Sequence, residues 1–174
     1  MTLIERCARI EVLVLDVDGV LTDGRIVYTD AGEEIKAFHV RDGSGLKFWE
    51  AEGKKSGIIT GRRSAIVERR AKELGIAHVT QGVSDKKAAL VTMLAELGVS
   101  AERVAAVGDD IVDVPVLRTC GLAVAVADAC AEAKEDADYV TEAPGGRGAV
   151  REVIELILRA QGRWPAIVAR LRGE

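Results

Sequence analysis

Val12-Leu13-Val14-Leu15-Asp16-Val17-Asp18-Gly19-Val20-Leu21-Thr22-Asp23-Gly24 is the stretch that decides how this chain folds. Four apolar residues make a short buried strand, and two carboxylates close it. Like charges side by side in a low dielectric repel, so a buried strand that ends this way needs a cationic partner. The i, i+2 spacing sends both side chains to the same side if the extended geometry persists. The pair therefore reads as an aspartate nucleophile, an acid/base two residues on, and a divalent metal between them. The competing reading is a strand end closing on a turn-forming Asp-Gly.

Outward from this stretch, short apolar runs alternate with helical patterns, the rhythm of a parallel sheet covered by helices. Strands are expected at Val12–Leu15, Ser56–Ile59, His78–Val79, Val104–Val107, Leu122–Val126 and Tyr139–Val140. Helices are expected near Asp42–Glu52, Ser64–Leu74, Lys86–Leu97, Val112–Thr119, Ala129–Glu135 and Gly148–Ala160. Arg25–Val27 and Ile35–Phe38, joined through Thr29-Asp30-Ala31-Gly32, read as a β-hairpin. The expected class is α/β, a three-layer Rossmann-like fold with a small hairpin insertion. Residues 1–162 form one domain, hairpin included at about 25–38, and Arg163-Trp164-Pro165 opens a C-terminal tail over 163–174 with its own short helical pattern.

Composition narrows the function. At 174 residues the chain fits one domain with a sizeable core. A net charge of −4 and 3% aromatic residues disfavour a nucleic-acid surface. Cys7, Cys120 and Cys130 form no CxxC pair, and their odd number argues against a disulfide framework. No apolar run approaches the roughly 20 residues of a membrane helix. Charges scattered through the first residues do not make a signal peptide. A soluble, cytoplasmic protein is expected.

Function in an open parallel sheet collects at the carboxyl ends of strands. Asp16 and Asp18 follow the first strand, Thr60 the second, and Asp109 and Asp110 follow Val104–Val107 through Gly108. Lys86 opens a helix after the His78–Val79 strand. Each alone has an ordinary explanation as a cap, a turn or a solvated charge; their convergence on one edge does not. Phosphoryl transfer suits these groups, because it needs positioned charge above all. Magnesium held by Asp16 and Asp109 would offset the repulsion between a carboxylate nucleophile and a phosphate dianion. Thr60 and Gly61, at the entry to a helix, would offer a hydroxyl and backbone N–H groups to phosphate oxygens. Lys86 would add a compact positive charge and restrain the nucleophile. Asp18 would protonate the leaving alkoxide and then take a proton from the attacking water.

Asp-Val-Asp-Gly-Val-Leu-Thr from Asp16, Ile58-Ile59-Thr60-Gly61, Lys86 and Gly108-Asp109-Asp110-Ile111-Val112-Asp113 resemble the four motifs of the haloacid dehalogenase superfamily, in order. The resemblance implies Asp16 as nucleophile, Asp18 as acid/base, and Thr60 and Lys86 as phosphate binders. It also implies Mg²⁺ on Asp16, the backbone carbonyl of Asp18 and Asp109, with Asp110 and Asp113 holding waters or neighbouring ligands. An aspartate at position 18, where the superfamily's transport ATPases carry threonine, favours phosphatase chemistry. Residues 17–59 are filled by the hairpin and a helix, which leaves no room for a separate cap domain.

Among uncapped members the chain is similar, over nearly its full length, to the 3-deoxy-D-manno-octulosonate 8-phosphate phosphatases. Gly32-Glu33-Glu34-Ile35-Lys36-Ala37-Phe38, Val40-Arg41-Asp42-Gly43, Thr60-Gly61-Arg62, Val124-Ala125-Val126-Ala127-Asp128-Ala129 and Gly145-Gly146-Arg147-Gly148 carry the likeness. It implies hydrolysis of the 8-phosphate in lipopolysaccharide precursor synthesis, by a homotetramer whose neighbouring subunits help close each site. The family's substrate positions fall on His39, Val40, Arg41, Asp42, Gly43, Lys47, Arg62, Arg70 and Lys86. His39 stands where asparagine is common and Lys47 where arginine is common, so carboxylate recognition at Lys47 loses a bidentate fork. Two alternatives stand beside this reading: a phosphatase for a related nine-carbon sugar-acid 9-phosphate, whose group tends to carry glutamate where this chain has Arg62, and a phospho-accepting receiver module.

Overall fold

A computed structural model describes residues 1–174 and places one six-stranded parallel sheet at the centre. Its strands are β1 (Val12–Leu15), β4 (Lys55–Thr60), β5 (His78–Gln81), β6 (Val104–Gly108), β7 (Leu122–Ala125) and β8 (Tyr139–Val140), in the order β5-β4-β1-β6-β7-β8. Between β1 and β4 a second, two-stranded sheet pairs β2 (Val27–Tyr28) antiparallel to β3 (Glu34–Ile35). The helices are α1 (Leu3–Arg9), α2 (Val40–Ala51), α3 (Ala65–Leu74), α4 (Lys86–Leu97), α5 (Val114–Leu117), α6 (Ala131–Glu135), α7 (Ala149–Ala160) and α8 (Trp164–Arg172).

The connectivity explains why the site is where it is. β1 pairs with β4 on one side and β6 on the other, Val12 lying opposite both Lys55 and Val104. Strands are added on one side of β1 as far as β5 and on the other side from β6 onward, and the carboxyl ends of β1, β4 and β6 border one crevice at that switch. All four residues of β1 are buried, which accounts for its unbroken apolar run. One connected cluster of 42 buried hydrophobic residues runs from Cys7 to Ile167, so the chain has a single core.

The structure differs from the sequence reading in four places. The hairpin ladder is shorter and displaced: Val27 faces Ile35 and Tyr28 faces Glu34, while Arg25, Ile26 and Lys36–Phe38 lie outside it. The helix expected over Val112–Thr119 divides into a 3₁₀ turn, Ile111–Asp113, and α5. Asp110 caps the turn, and Pro115, without an N–H to donate, sits in the first turn of α5. Helix α1 stands where the sequence reading places no element; a capping box between Thr2 and Glu5 starts it and buried Cys7 anchors it. Finally, the helical pattern after 163 forms α8, as expected, but the segment is docked instead of a tail, with Trp164 and Ile167 buried in the common core. Arg151 stacks on both Trp164 and Phe48 at 5.0 Å, fixing α8 to α7 and α2.

Candidate active site

Asp16 leaves β1 with its amide bonded to the Val107 carbonyl of β6 at 3.2 Å. The chain then curls: the Val17 carbonyl accepts from the amides of Val20, Leu21 and Thr22 at 3.2, 2.9 and 3.0 Å. Gly19 turns that corner at φ +93°, and a Cβ there would fall inside the Asp109 carboxylate. Only glycine allows both the backbone angle and the close approach. Gly146 seats its amide on the Val20 carbonyl at 2.9 Å, so the Gly145-Gly146 loop braces this turn within the same chain.

Lys86, the first residue of α4, is the hub of a buried charge network. Its Nζ lies 3.0 Å from Asp16 Oδ2 and 2.6 Å from Asp113 Oδ1. Asp113 uses its other oxygen to accept from the amides of Asp109 and Asp110, at 3.1 and 3.3 Å. It therefore orients the Asp109 loop and Lys86 together. Asp110 is turned to solvent and caps the Ile111 amide at 2.8 Å.

Crowding of these carboxylates disturbs their protonation. Burial, then the neighbouring Asp113, pushes Asp16 above the usual carboxylate range against the pull of Lys86. Burial and the charges of Asp113, Asp16 and Asp110 push Asp109 up to about 7. Burial alone would lower the Lys86 ammonium, but Asp16 and Asp113 outweigh it and hold it above its ordinary value. Asp16 Oδ1 and Asp109 Oδ1 are buried without any hydrogen-bond partner. Oxygens of Asp16, Asp109 and Asp113 come within 4.8 Å of one another. Unpartnered buried carboxylate oxygens are costly, and an all-oxygen donor set suits a hard divalent cation. The residues present fit such an ion.

Around Asp18 the structure adds groups that sequence reasoning did not select. Lys36, just past β3, bonds Asp18 Oδ1 with a side chain only 1% exposed, and its Nζ lies 3.5 Å from Glu34 Oε1. Glu34 also accepts from Arg62 at 3.1 Å and from the Ser64 hydroxyl at 2.7 Å. Arg62 Nε stands 3.8 Å from Asp18 Oδ2. Arg62 is thus already ion-paired at the mouth of the site, and a substrate anion would share it with Glu34. Thr60 closes β4 nearly fully buried, with Gly61 leading into the loop before α3.

The other sequence-selected positions have mixed placements. Asp42 is 1% exposed and accepts from the amides of Gly148 and Arg151 at 3.2 and 2.8 Å. Its carboxylate ties α2 to the start of α7 instead of facing solvent, a packing role that polarity alone did not reveal. Gly43 leaves the space that the Arg70 guanidinium fills. Arg70 lies over Phe38 at 5.6 Å and pairs with Glu73 at 3.2 Å, its Nε buried without a partner. His39 starts α2, and its Nδ1 stays unpartnered 4.0 Å from Asp42. Val40 and Arg41 are exposed. Lys47 is half exposed and paired with Glu50 at 3.2 Å, away from the acidic cluster's contacts.

A buried carboxylate at a strand end, held by an ammonium beside a cation-ready acid cluster, defines a hydrolase class built around an aspartate. The chain matches the family model of haloacid dehalogenase-like hydrolases over residues 65–154. It is 50% identical over 160 residues to the 3-deoxy-D-manno-octulosonate 8-phosphate phosphatase of Escherichia coli (strain K12), covering 92% of this chain and 85% of that protein. Its structure is similar to that of the Moraxella catarrhalis enzyme of the same description, solved in complex with magnesium ion, phosphate ion and a KDO molecule. That match has a TM-score of 0.95 at 45% identity and covers 97% of each chain. The Yersinia pestis enzyme matches with a TM-score of 0.91 at 50% identity, covering 93% of this chain and 88% of that one. The chain belongs to the 3-deoxy-D-manno-octulosonate 8-phosphate phosphatase family of haloacid dehalogenase-like hydrolases.

Proposed function

We propose that the protein is a Mg²⁺-dependent phosphatase that hydrolyses 3-deoxy-D-manno-octulosonate 8-phosphate to the free sugar acid and phosphate, supplying lipopolysaccharide precursor synthesis. The observation that carries this reading is the Asp16–Lys86–Asp113–Asp109 network, with Asp18 beside it, in a chain half identical to phosphatases of that name. Asp16, Asp109 and the Asp18 main-chain carbonyl would hold the magnesium ion, which when bound supplies charge neutralisation for an approaching phosphate dianion.

Lys86 fixes the Asp16 carboxylate through Oδ2. Asp16 attacks phosphorus, the bond to the sugar oxygen breaks, and Asp18 gives the departing alkoxide its proton. Asp18, now a carboxylate, removes a proton from water as that water attacks the phosphoaspartate, and Asp16 is regenerated. Thr60 and the amides after it donate to the phosphate oxygens. Arg62, Arg70, His39, Arg41 and Lys47 form the recognition set for the sugar acid, Arg62 from within its pair with Glu34.

We further propose a cytoplasmic homotetramer with sites near subunit boundaries, the domain spanning 1–162 with 163–174 docked as α8. Support for assembly comes from the hairpin, where Ile26, Val27, Tyr28 and Ile35 are all exposed across its two faces. A two-stranded ribbon this short is marginal alone. No helix is long and apolar enough to cross a membrane.

Phosphate release from the 8-phosphate and from a nine-carbon sugar-acid 9-phosphate, measured in parallel with and without Mg²⁺, tests the reading. Preference for the 8-phosphate is expected, with multiple turnovers that rule against a storage receiver. Equal kcat/KM on both substrates would remove the specificity claim, and a long-lived phosphorylated protein without turnover would remove the phosphatase itself. Sedimentation velocity tests the assembly.

A further inference from the structure

We propose that Lys36 is a positioning residue that clamps Asp18 Oδ1, leaving Asp18 Oδ2 as the atom that carries the proton. The proposal rests on the reading of Asp18 as acid/base. Lysine in a surface ribbon ordinarily extends its ammonium into water. Here β2 and β3 are solvent-exposed, yet the Lys36 side chain is 1% exposed and ends on Asp18. Burying an ammonium is costly unless it is paired and hydrogen-bonded. Lys36 meets that condition with two carboxylates, Asp18 and Glu34.

The geometry divides the two Asp18 oxygens. Oδ1 is occupied by Lys36. Oδ2 has only Arg62 Nε nearby, at 3.8 Å, beyond hydrogen-bond reach. Glu34 completes the clamp from behind, since it holds Lys36, Arg62 and Ser64 with its two oxygens. Lys36 and Arg62 thus flank Asp18 and Glu34, an arrangement that is neutral when Asp18 is a carboxylate and carries one excess positive charge when Asp18 holds the proton it gives. A side chain that must meet the leaving oxygen and then a water needs one fixed orientation, and a displacement of about 1 Å costs on the order of 10²-fold in rate. The hairpin therefore belongs to the catalytic frame as well as to the molecular surface.

The test exploits leaving-group chemistry. A sugar alkoxide needs a proton to depart, whereas nitrophenolate does not, so loss of Asp18 alignment should fall on the first and spare the second. kcat/KM is measured on 3-deoxy-D-manno-octulosonate 8-phosphate and on p-nitrophenyl phosphate for wild type, Lys36→Met, Lys36→Arg, Glu34→Gln and Asp18→Asn. Lys36→Met is expected to lose at least about tenfold more on the sugar phosphate than on the aryl phosphate, a part of the roughly 10²–10⁴ that a general acid supplies. Lys36→Arg should recover most of that difference, and Glu34→Gln should show a weaker form of it. Asp18→Asn should show the same pattern more strongly. Equal losses on both substrates for Lys36→Met, or no loss, overturn the proposal while leaving Asp18 in place if Asp18→Asn still discriminates. If Asp18→Asn does not discriminate, the acid role fails first and Lys36 falls with it. Should Lys36→Met not fold, the Arg and Gln variants decide, and absence of discrimination in Glu34→Gln together with full activity on both substrates overturns the clamp.

Discussion

Gly19→Ala should uncouple metal binding from folding, and the structure gives both magnitudes. Gly19 sits at φ +93°, and an alanine held there costs on the order of 1–3 kcal/mol of backbone strain. For a domain of this size, where 1 kcal/mol moves Tm by about 2–4 °C, the strain alone lowers Tm by roughly 2–12 °C. The second effect is local. The new Cβ would occupy the space of the Asp109 carboxylate, so that group must retreat before the chain can close. Asp109 cannot retreat freely, because its amide is pinned by Asp113. A displaced carboxylate in a metal site weakens the metal by about 10–100-fold, the range found even for groups behind the ligands.

Gly53→Ala supplies the comparison. Gly53 also has positive φ, +75°, but nothing stands within 4 Å of its missing Cβ. Thermal melts should show the backbone strain in both variants, with the larger loss for Gly19→Ala, where the Asp109 carboxylate must also move. Phosphate release titrated with Mg²⁺ should show the half-saturating concentration raised at least tenfold for Gly19→Ala and unchanged for Gly53→Ala. A Gly19→Ala enzyme within twofold of the wild-type Mg²⁺ requirement would refute the claim that this glycine exists to admit Asp109.

Asp16→Asn removes the attacking carboxylate while nearly conserving shape; turnover should vanish, and the metal-free melting temperature should hold or rise because one buried like charge has gone. Burial and like charge raise Asp109 to about 7, and raise Asp16 as well, against an unfolded value of about 3.9. The folded metal-free protein then binds more protons than the unfolded chain, so its stability is greatest below about pH 4 for these groups and falls as pH rises to about 7. Melts of metal-free protein across that window should show the decline, Mg²⁺ should reduce it, and a metal-free stability that rises between pH 5 and 7 would contradict the assignment. Trp164→Ala deletes a buried indole that packs on Phe48, Arg151 and Arg159, and should cost about 3–5 kcal/mol in denaturant unfolding.

The strand ends were legible because chemistry and position coincide there. Asp16, Thr60 and Asp109 follow apolar runs whose length and β-branched content already mark buried strands, and parallel topology brings such ends together. What was not legible depends on contacts distant in sequence. Asp42 stands in the sequence as a helix-start residue and a substrate position, and its tie to α7 shows only when Gly148 and Arg151 arrive, more than a hundred residues later. Lys36 has no role assigned by the sequence beyond its place in the hairpin stretch, and its bond to Asp18 appears only in the fold. Helix α1 had a readable signal, Thr2-x-x-Glu5, which is the capping-box pattern.

The charge inventory around the site explains why the missing partner should be divalent. Above pH 7, Asp16, Asp109 and Asp113 face a single ammonium, Lys86, which leaves two negative charges without compensation in a buried network. A monovalent cation would leave one of them exposed to the incoming phosphate dianion; a doubly charged cation brings the network to neutrality. The neighbouring frame needs no such help, because Lys36 and Arg62 match Asp18 and Glu34 in charge when Asp18 is a carboxylate and exceed them when it holds a proton. Two adjacent clusters thus have different electrostatic states before substrate arrives, one two positive charges short and one with no such deficit. The nucleophile lies in the first and the proton carrier in the second. That separation lets the metal set the charge at Asp16 while the hairpin sets the orientation of Asp18, so loss of either should leave a distinct kinetic signature.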